Sequence, residues 1–299
     1  MNRGRVARHR VDLEFFLPRE ELRPFITTYY RMRISGAMDD PVVDYLHPEW
    51  TNLRYFPEGS VKAAIGAGDP EPIPALSLTG PTTLTNLFEA TDGTSWGIGI
   101  LPLGWARLTS ASASDFSDRI SDPAAHPELS VLAGVAPLLR DAQEDAHAVC
   151  ASLSDHFLDA LASAAPREKA ILSVQRRLVD PAVHTVAEIA EAAGMSVRTL
   201  ERFSRDVFGF SPQLLLRRQR FLRSLAQFML DPSMKWIETL DAHYHDQAHF
   251  VRDFKHFMKM TPRQYAALDH PVLSAAAGAR MATAGAAMQV LHRPGKPGG

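Results

Sequence analysis

Cysteine is almost missing from this chain, and the one present, Cys150 in 299 residues, leaves no internal disulfide framework to consider. Long apolar runs are missing too. Nothing approaches the roughly 18 to 20 residues that would span a bilayer. The basic start, with Arg3, Arg5, Arg8 and Arg10, lacks the apolar stretch of a targeting peptide, because Leu13 to Leu17 is interrupted by Glu14 and followed by Pro18. No nucleophile elbow, phosphate-cradling glycine loop or paired-cysteine motif occurs. These absences point to a protein without membrane contact in a reducing compartment, the cytoplasm by default. What is present is ordinary for a globular chain, with 45% hydrophobic and 22% charged residues. The length suggests two domains.

The net charge of −2 hides an asymmetry. Residues 167–270 hold 16 Lys and Arg against 12 Asp and Glu, a net of +4, and the remainder carries −6. Within 194–229, seven arginines face only Glu201 and Asp206. Such an excess suits either a solvated helix face or a polyanionic partner.

The pattern divides the chain at Ala164-Ala165-Pro166. Before it, short apolar runs separated by turn residues predict strands at 27–34, 53–56, 60–65, 75–78, 84–89 and 95–101, a mainly antiparallel small barrel or sandwich, with a cupin-like arrangement among the options. Helical periodicity then covers 129–140 and 143–162, either packing on the sheet or joining two copies of the chain. After it, 166–270 reads as all helix. The fold class expected is therefore multidomain α+β: residues 1–165 a sensing or dimerisation domain, 166–270 an all-α domain, and 271–299 a partly disordered tail with a short helix near 272–290, too poor in large apolar groups to bury.

Thr185 followed by Glu188 makes a capping box. The helix it opens carries Val186, Ile189, Ala190 and Ala193 on one stripe and stops at Gly194. Ser196 then caps a second helix with Leu200, Phe203 and Val207 inward, and so short a turn between them is a helix-turn-helix arrangement. Arg198, Glu201, Arg202 and Arg205 share the outer face of that second helix, where arginine can pair with guanine and glutamate can accept from cytosine. The same face would also serve as a salt-bridged solvent surface.

Ser211-Pro212 opens a helix of about 19 residues, roughly 28 Å long. It ends at Asp231-Pro232. Beyond it Trp236, Ile237 and Leu240, a turn at Ala242-His243-Tyr244, and Asp246 capping a helix with Phe250, Phe254 and Phe257 inward repeat the first unit about 49 positions on. Two recognition helices on a stiff spacer suit successive major grooves of one duplex.

Over 167–266 these residues resemble the AraC/XylS-type transcriptional regulators. The stretch Asp246-Gln247-Ala248-His249-Phe250-Val251-Arg252-Asp253-Phe254-Lys255 with Met260-Thr261-Pro262-Arg263-Gln264-Tyr265 is similar to the family's signature, as are Leu200-Glu201-Arg202 and Gly209-Phe210-Ser211-Pro212. Leu46-His47-Pro48-Glu49-Trp50 and the stretch from Gly97 to Arg107 resemble the N-terminal domain of one subfamily. The resemblance implies base contacts from Arg198, Glu201 and Arg202 in the first helix and from Gln247, Ala248, His249, Val251 and Arg252 in the second. Ser196, Arg205 and Lys255 would hold phosphates. Its expected partners are double-stranded DNA, a small-molecule effector, a second copy of the chain and, for an activator, RNA polymerase. No cofactor is implied. Two positions depart from the family pattern, Ser204 in place of a phenylalanine and His243 in place of the turn glycine.

His245-Asp246-Gln247-Ala248-His249 has the spacing of a zinc-protease helix, but Asp246 reads better as a cap, which leaves His245 before the helix and no metal site is expected. In the N-terminal half, His47, Glu49, Trp50, Asn52, Arg54, Trp96 and Trp105 would line a ligand pocket, or serve packing and turns. Two functions stand at this point: a sequence-specific DNA-binding regulator that is not an enzyme, or an enzyme or small-molecule-binding protein whose helical C-terminus is only an interaction module.

Overall fold

The computed structural model describes residues 9–57, 59–140, 145–161, 167–230, 241, 244 and 246–293. The N-terminal half is built from two antiparallel sheets. One has the strand order β1 (Arg10–Phe16), β2 (Ile26–Ser35), β9 (Gly93–Ile100), β4 (Thr51–Tyr55), β7 (Leu76–Thr79), β10 (Ile120–Ser121). The other runs β3 (Val42–Leu46), β8 (Asn86–Ala90), β5 (Val61–Ile65), β6 (Glu71–Pro72). Met32 and Ile34 of the first sheet meet Val42, Val61 and Phe88 of the second in one buried apolar layer.

All six expected strands are observed, within two residues at each end, as β2, β4, β5, β7, β8 and β9. β1, β3 and the two-residue β6 and β10 are additional to them. β1 pairs with β2 along its whole length, Arg10 opposite Ser35 through Phe16 opposite Tyr29. Its alternation of Val11, Leu13 and Phe15 with charged residues is a strand signal that competes with the basic residues before it.

Helices follow: α1 (Pro102–Leu108), α2 (Ser130–Ala133), α3 (Ala136–Arg140) and α4 (Ala146–Ala160). The single helix expected at 129–140 is two short ones, broken at Gly134. α4 is capped by Asp145 and buries Val149, Cys150, Leu153 and Phe157, while its Ser154 hydroxyl meets Tyr29 of β2 at 3.2 Å. Its apolar stripe thus packs on the β region.

The C-terminal half continues with α5 (Glu168–Val179), α6 (Val186–Ala192), α7 (Val197–Phe208), α8 (Pro212–Leu230), α9 (Gln247–Met258), α10 (Pro262–Tyr265) and α11 (Pro271–Ala284). The expectations for 231–240, His243 and His245 lie outside the described residues. None of the described helices is long and apolar enough to cross a membrane.

The helix expected near 272–290 is α11, and it is docked rather than free, packing against β1 and β3. Its residues are small, mostly Ala, Gly and Ser, so its backbone approaches the sheets closely, and polar groups supply the anchorage. Asp44, fully buried, caps the helix from 228 residues away: Oδ2 accepts from the Val272 and Leu273 amides at 3.0 and 2.9 Å, and Oδ1 meets His270 Nδ1 at 3.0 Å. Beyond α11, Val290 is buried and its carbonyl accepts from Gln219 of α8 at 2.7 Å.

Candidate nucleic-acid interface

The first helix pair is set by local chemistry. Thr185 Oγ1 accepts from the Glu188 amide at 3.2 Å while Glu188 returns the bond to the Thr185 amide at 2.8 Å, so α6 starts where the capping box requires. The His184 and Thr185 amides hold the Glu188 carboxyl below the usual carboxylate range. Gly194 takes φ +63° in the turn, where the Met195 amide reaches back to Ala190 at 2.9 Å. Ser196 then accepts from the Thr199 amide at 3.1 Å and α7 begins. Leu200, Phe203, Val207 and Phe208 turn inward.

The second helix of this pair has a counterpart at an offset of 50 residues along the sequence, most of the segment before that counterpart lying outside the described residues. Asp246 takes the place of Ser196 and accepts from the His249 amide at 2.6 Å to start α9. Phe250 answers Leu200, Phe254 answers Ser204 and Phe257 answers Val207. Thr261-Pro262 answers Ser211-Pro212, and the left-handed residue that ends the helix is Gly209 (φ +84°) in one unit and Lys259 (φ +59°) in the other. The 19-residue α8 joins the two units. Its Phe221 packs against Phe250, Phe254 and Phe257 of α9, with ring centroids 6.2, 5.4 and 5.0 Å apart.

Both outer faces are open. On α7, Arg198, Arg202 and Arg205 are exposed, and half-buried Glu201 is paired with Arg205 at 3.6 Å. On α9, Gln247, Ala248, Arg252 and Lys255 are exposed and Val251 is half-buried. His249 sits differently. Its ring stands edge-on against Tyr244 with centroids 5.2 Å apart, its Nε2 is 3.2 Å from Arg220 of α8, and burial lowers its pKa, with the Arg220 cation adding to the effect against Asp253.

Asp253, buried within α9, has no local sequence signal of its own. Its buried carboxylate accepts from Arg217 at 2.6 Å, from Arg220 at 3.3 Å and from the Tyr244 hydroxyl at 3.0 Å. It pins α9 to α8 and so fixes the orientation of the second outer face.

The N-terminal half bears on both units. Arg218 of α8 is wholly buried; its Nη1 donates to the Thr82 carbonyl at 2.7 Å and the Glu49 carbonyl at 3.3 Å, with its Cζ 4.0 Å from the Trp50 ring centroid. Burial brings its pKa down to about 9. The Thr85 amide donates to Phe257 at 2.8 Å, and His47 Nε2 lies 2.6 Å from the Tyr265 hydroxyl. Ser117 donates to the Gly209 carbonyl at 3.1 Å, and a Cβ on Gly209 would fall 2.2 Å from the Ser117 hydroxyl.

Of the seven residues expected to line a pocket, His47, Glu49, Asn52, Arg54 and Trp96 do border one cavity, of about 130 Å³. The other two lie elsewhere. Trp50 is at the contact with α8, beneath Arg218, and Trp105 is buried against Phe116 with its indole N–H donating to Ala111 at 2.9 Å. Large aromatics near a polar cluster resemble pocket walls in sequence, but here their size fills the core instead. The wall they leave comes from the C-terminal segment: Val272, Leu273, Ala276, Arg280, Met288 and Gln289 close the cavity from outside the β region.

Residues 174–267 match a family model described as a helix-turn-helix domain. No match was found among curated proteins. Among solved structures, ToxT from Vibrio cholerae is similar at 11% identity and a TM-score of 0.44, over 87% of this chain and 98% of that one. A second ToxT structure, from Vibrio cholerae strain SCE256 with an unsaturated fatty acid bound, gives 12%, 0.42, 88% and 96%. The AraC-like transcriptional activator CuxR gives 16% identity and a TM-score of 0.21 over 73% of this chain and 87% of its own. The match assigns residues 174–267 of this chain to a helix-turn-helix domain.

Proposed function

We propose that the protein is a sequence-specific DNA-binding transcription regulator in which α7 and α9 enter successive major grooves and the N-terminal region senses a small molecule. One observation carries the reading: two capped helices, repeated at an offset of 50 residues and joined by the stiff α8, each present an exposed basic or polar face. Arg198, Glu201 and Arg202 on α7 and Gln247, Ala248, Val251 and Arg252 on α9 are the base-reading set. Arg can pair with guanine and Gln with adenine, while Ala248 and Val251 offer apolar contact to a thymine methyl. Ser196, Arg205 and Lys255 anchor phosphates. His249, held by Arg220 and Tyr244, positions α9 more than it reads.

Salt titration tests the physical basis. Binding of a fluorescent duplex should weaken steeply between low and physiological salt, with log K falling about 0.9 per log unit of salt for each phosphate neutralised. An affinity indifferent to salt would contradict the assignment.

A further inference from the structure

The cavity beneath α11 has a composition that specifies its occupant. Its walls are mainly apolar, with Leu13, Phe15, Met32, Phe56, Phe88 and Trp96 on the β side. Two guanidiniums reach it. Arg54 is neutralised: its Nη2 donates to both Glu49 oxygens at 2.7 and 2.9 Å, and its Nε donates to the Tyr30 hydroxyl at 2.8 Å. Arg280, on α11, has no such match. It is 6% exposed, its Nη1 donates only to the Thr28 hydroxyl at 2.8 Å, and its Nε and Nη2 are buried with no hydrogen-bond partner. Burial lowers its pKa to about 10, which still leaves it charged at neutral pH.

The remaining titratable groups at the cavity do not cancel that charge. Burial keeps Tyr30 protonated and brings the His47 imidazole down to about 3, so both are neutral. His292, beside Arg280, is lowered to about 4 and is neutral as well. Glu49 balances Arg54, and one positive charge is left over in an apolar cavity. An isolated buried cation is costly unless an anion joins it, and two unpartnered N–H groups are the geometry a carboxylate accepts from.

We propose that this cavity binds a compact apolar monocarboxylate, whose acid group pairs with Arg280 and whose body fills the space between Phe15, Met32, Phe88 and Trp96. The size argument is direct: a cavity of about 150 Å³ lined by apolar side chains accommodates one benzene ring. This inference deepens the proposed function and rests on its reading of the N-terminal region as the sensor. It adds that the charge reader lies outside that region, on the helix that leaves the second helix-turn-helix unit. A ligand held between β strands and α11 therefore ties the sensing half to the DNA-binding half.

Calorimetric titration of the full-length protein with benzoate and its neutral counterpart benzamide tests this. Benzoate is expected to bind at least tenfold more tightly than benzamide. Arg280→Met should bring the two to parity, and Arg280→Lys should keep a preference for benzoate. Thermal melts establish that both variants fold. Equal binding of benzoate and benzamide by the unmodified protein would overturn the role of Arg280 while leaving the cavity as a ligand site. So would a benzoate preference that survives Arg280→Met. If neither probe binds at millimolar concentration, the sensor reading falls with the proposal, whereas the DNA-binding reading stands on its own test.

Discussion

Arg252 and Lys255 lie on one exposed face of α9, three residues apart, and their proposed roles separate cleanly by experiment. Arg252→Ala should relax preference at one base position and cost about 1 to 3 kcal/mol on the preferred site. Lys255→Ala should weaken binding about equally on all sequences and reduce the salt slope by about 1. Affinity measurements on single-base variants of one site distinguish the two patterns. Other residues report on stability. Lys259 occupies the left-handed position that glycine fills in the first unit, at φ +59°, so Lys259→Gly should stabilise the fold by about 1 kcal/mol in urea denaturation. Ser204, where the second unit has Phe254, is buried with its hydroxyl unpartnered. Ser204→Ala removes that group and should raise stability by about 1 kcal/mol, and a loss of more than that amount would mean that the hydroxyl has a partner in solution.

At the scale of elements, the ion-pair cluster around Asp253 decides how α9 is carried. Asp253→Ala leaves Arg217 and Arg220 without their carboxylate and should cost about 3 to 5 kcal/mol while abolishing specific binding by the second unit. Denaturant melts and binding to half-site duplexes check the two effects separately. The helical elements were legible because their signals are local: Thr185 with Glu188, Ser196, Ser211-Pro212 and Asp246 each fix a helix start through contacts within four residues. The break at Gly134 and the short β3 were less so, since neither carries a run long enough to show a period. The composition of the α11 segment, with few large apolar groups, argues against burial. Its docking rests on Asp44, Thr28 and the sheet surface, more than 200 residues away in sequence, and no local pattern encodes such contacts. The candidate site divides the same way. Exposed positions on α7 and α9 follow from periodicity, whereas Arg218, Arg280 and the displaced Trp50 and Trp105 follow only from tertiary packing.

The whole molecule is held together across its halves by groups that titrate. His47, at the Tyr265 hydroxyl, is depressed to about 3 by burial, so above pH 6.5 its contribution is complete. Below pH 6.5 the unfolded chain gains a proton that the folded one refuses, and stability falls by at most about 1.4 kcal/mol per pH unit toward that value. His270 runs the other way. Burial opposes its charge, but Asp44 and the Tyr265 carbonyl outweigh burial and raise its pKa, so its contribution is full below pH 6.5 and is lost as pH rises through the raised value. His47→Gln should flatten the decline between pH 6.5 and 5, and His270→Gln the decline on the alkaline side, in melts followed against pH. A profile unchanged by either variant would remove these histidines from the account of the contact.

The central claim is that two helices of one chain read one duplex, and selection of binding sites for the full-length protein from a random duplex library at near-physiological salt tests it most directly. The account predicts a motif in two blocks about one helical turn, roughly 10 base pairs, apart, with Arg252→Ala erasing preference in only one of them. A selected pool with no enriched sequence, or a single uninterrupted block untouched by changes on one of the two helices, would contradict it.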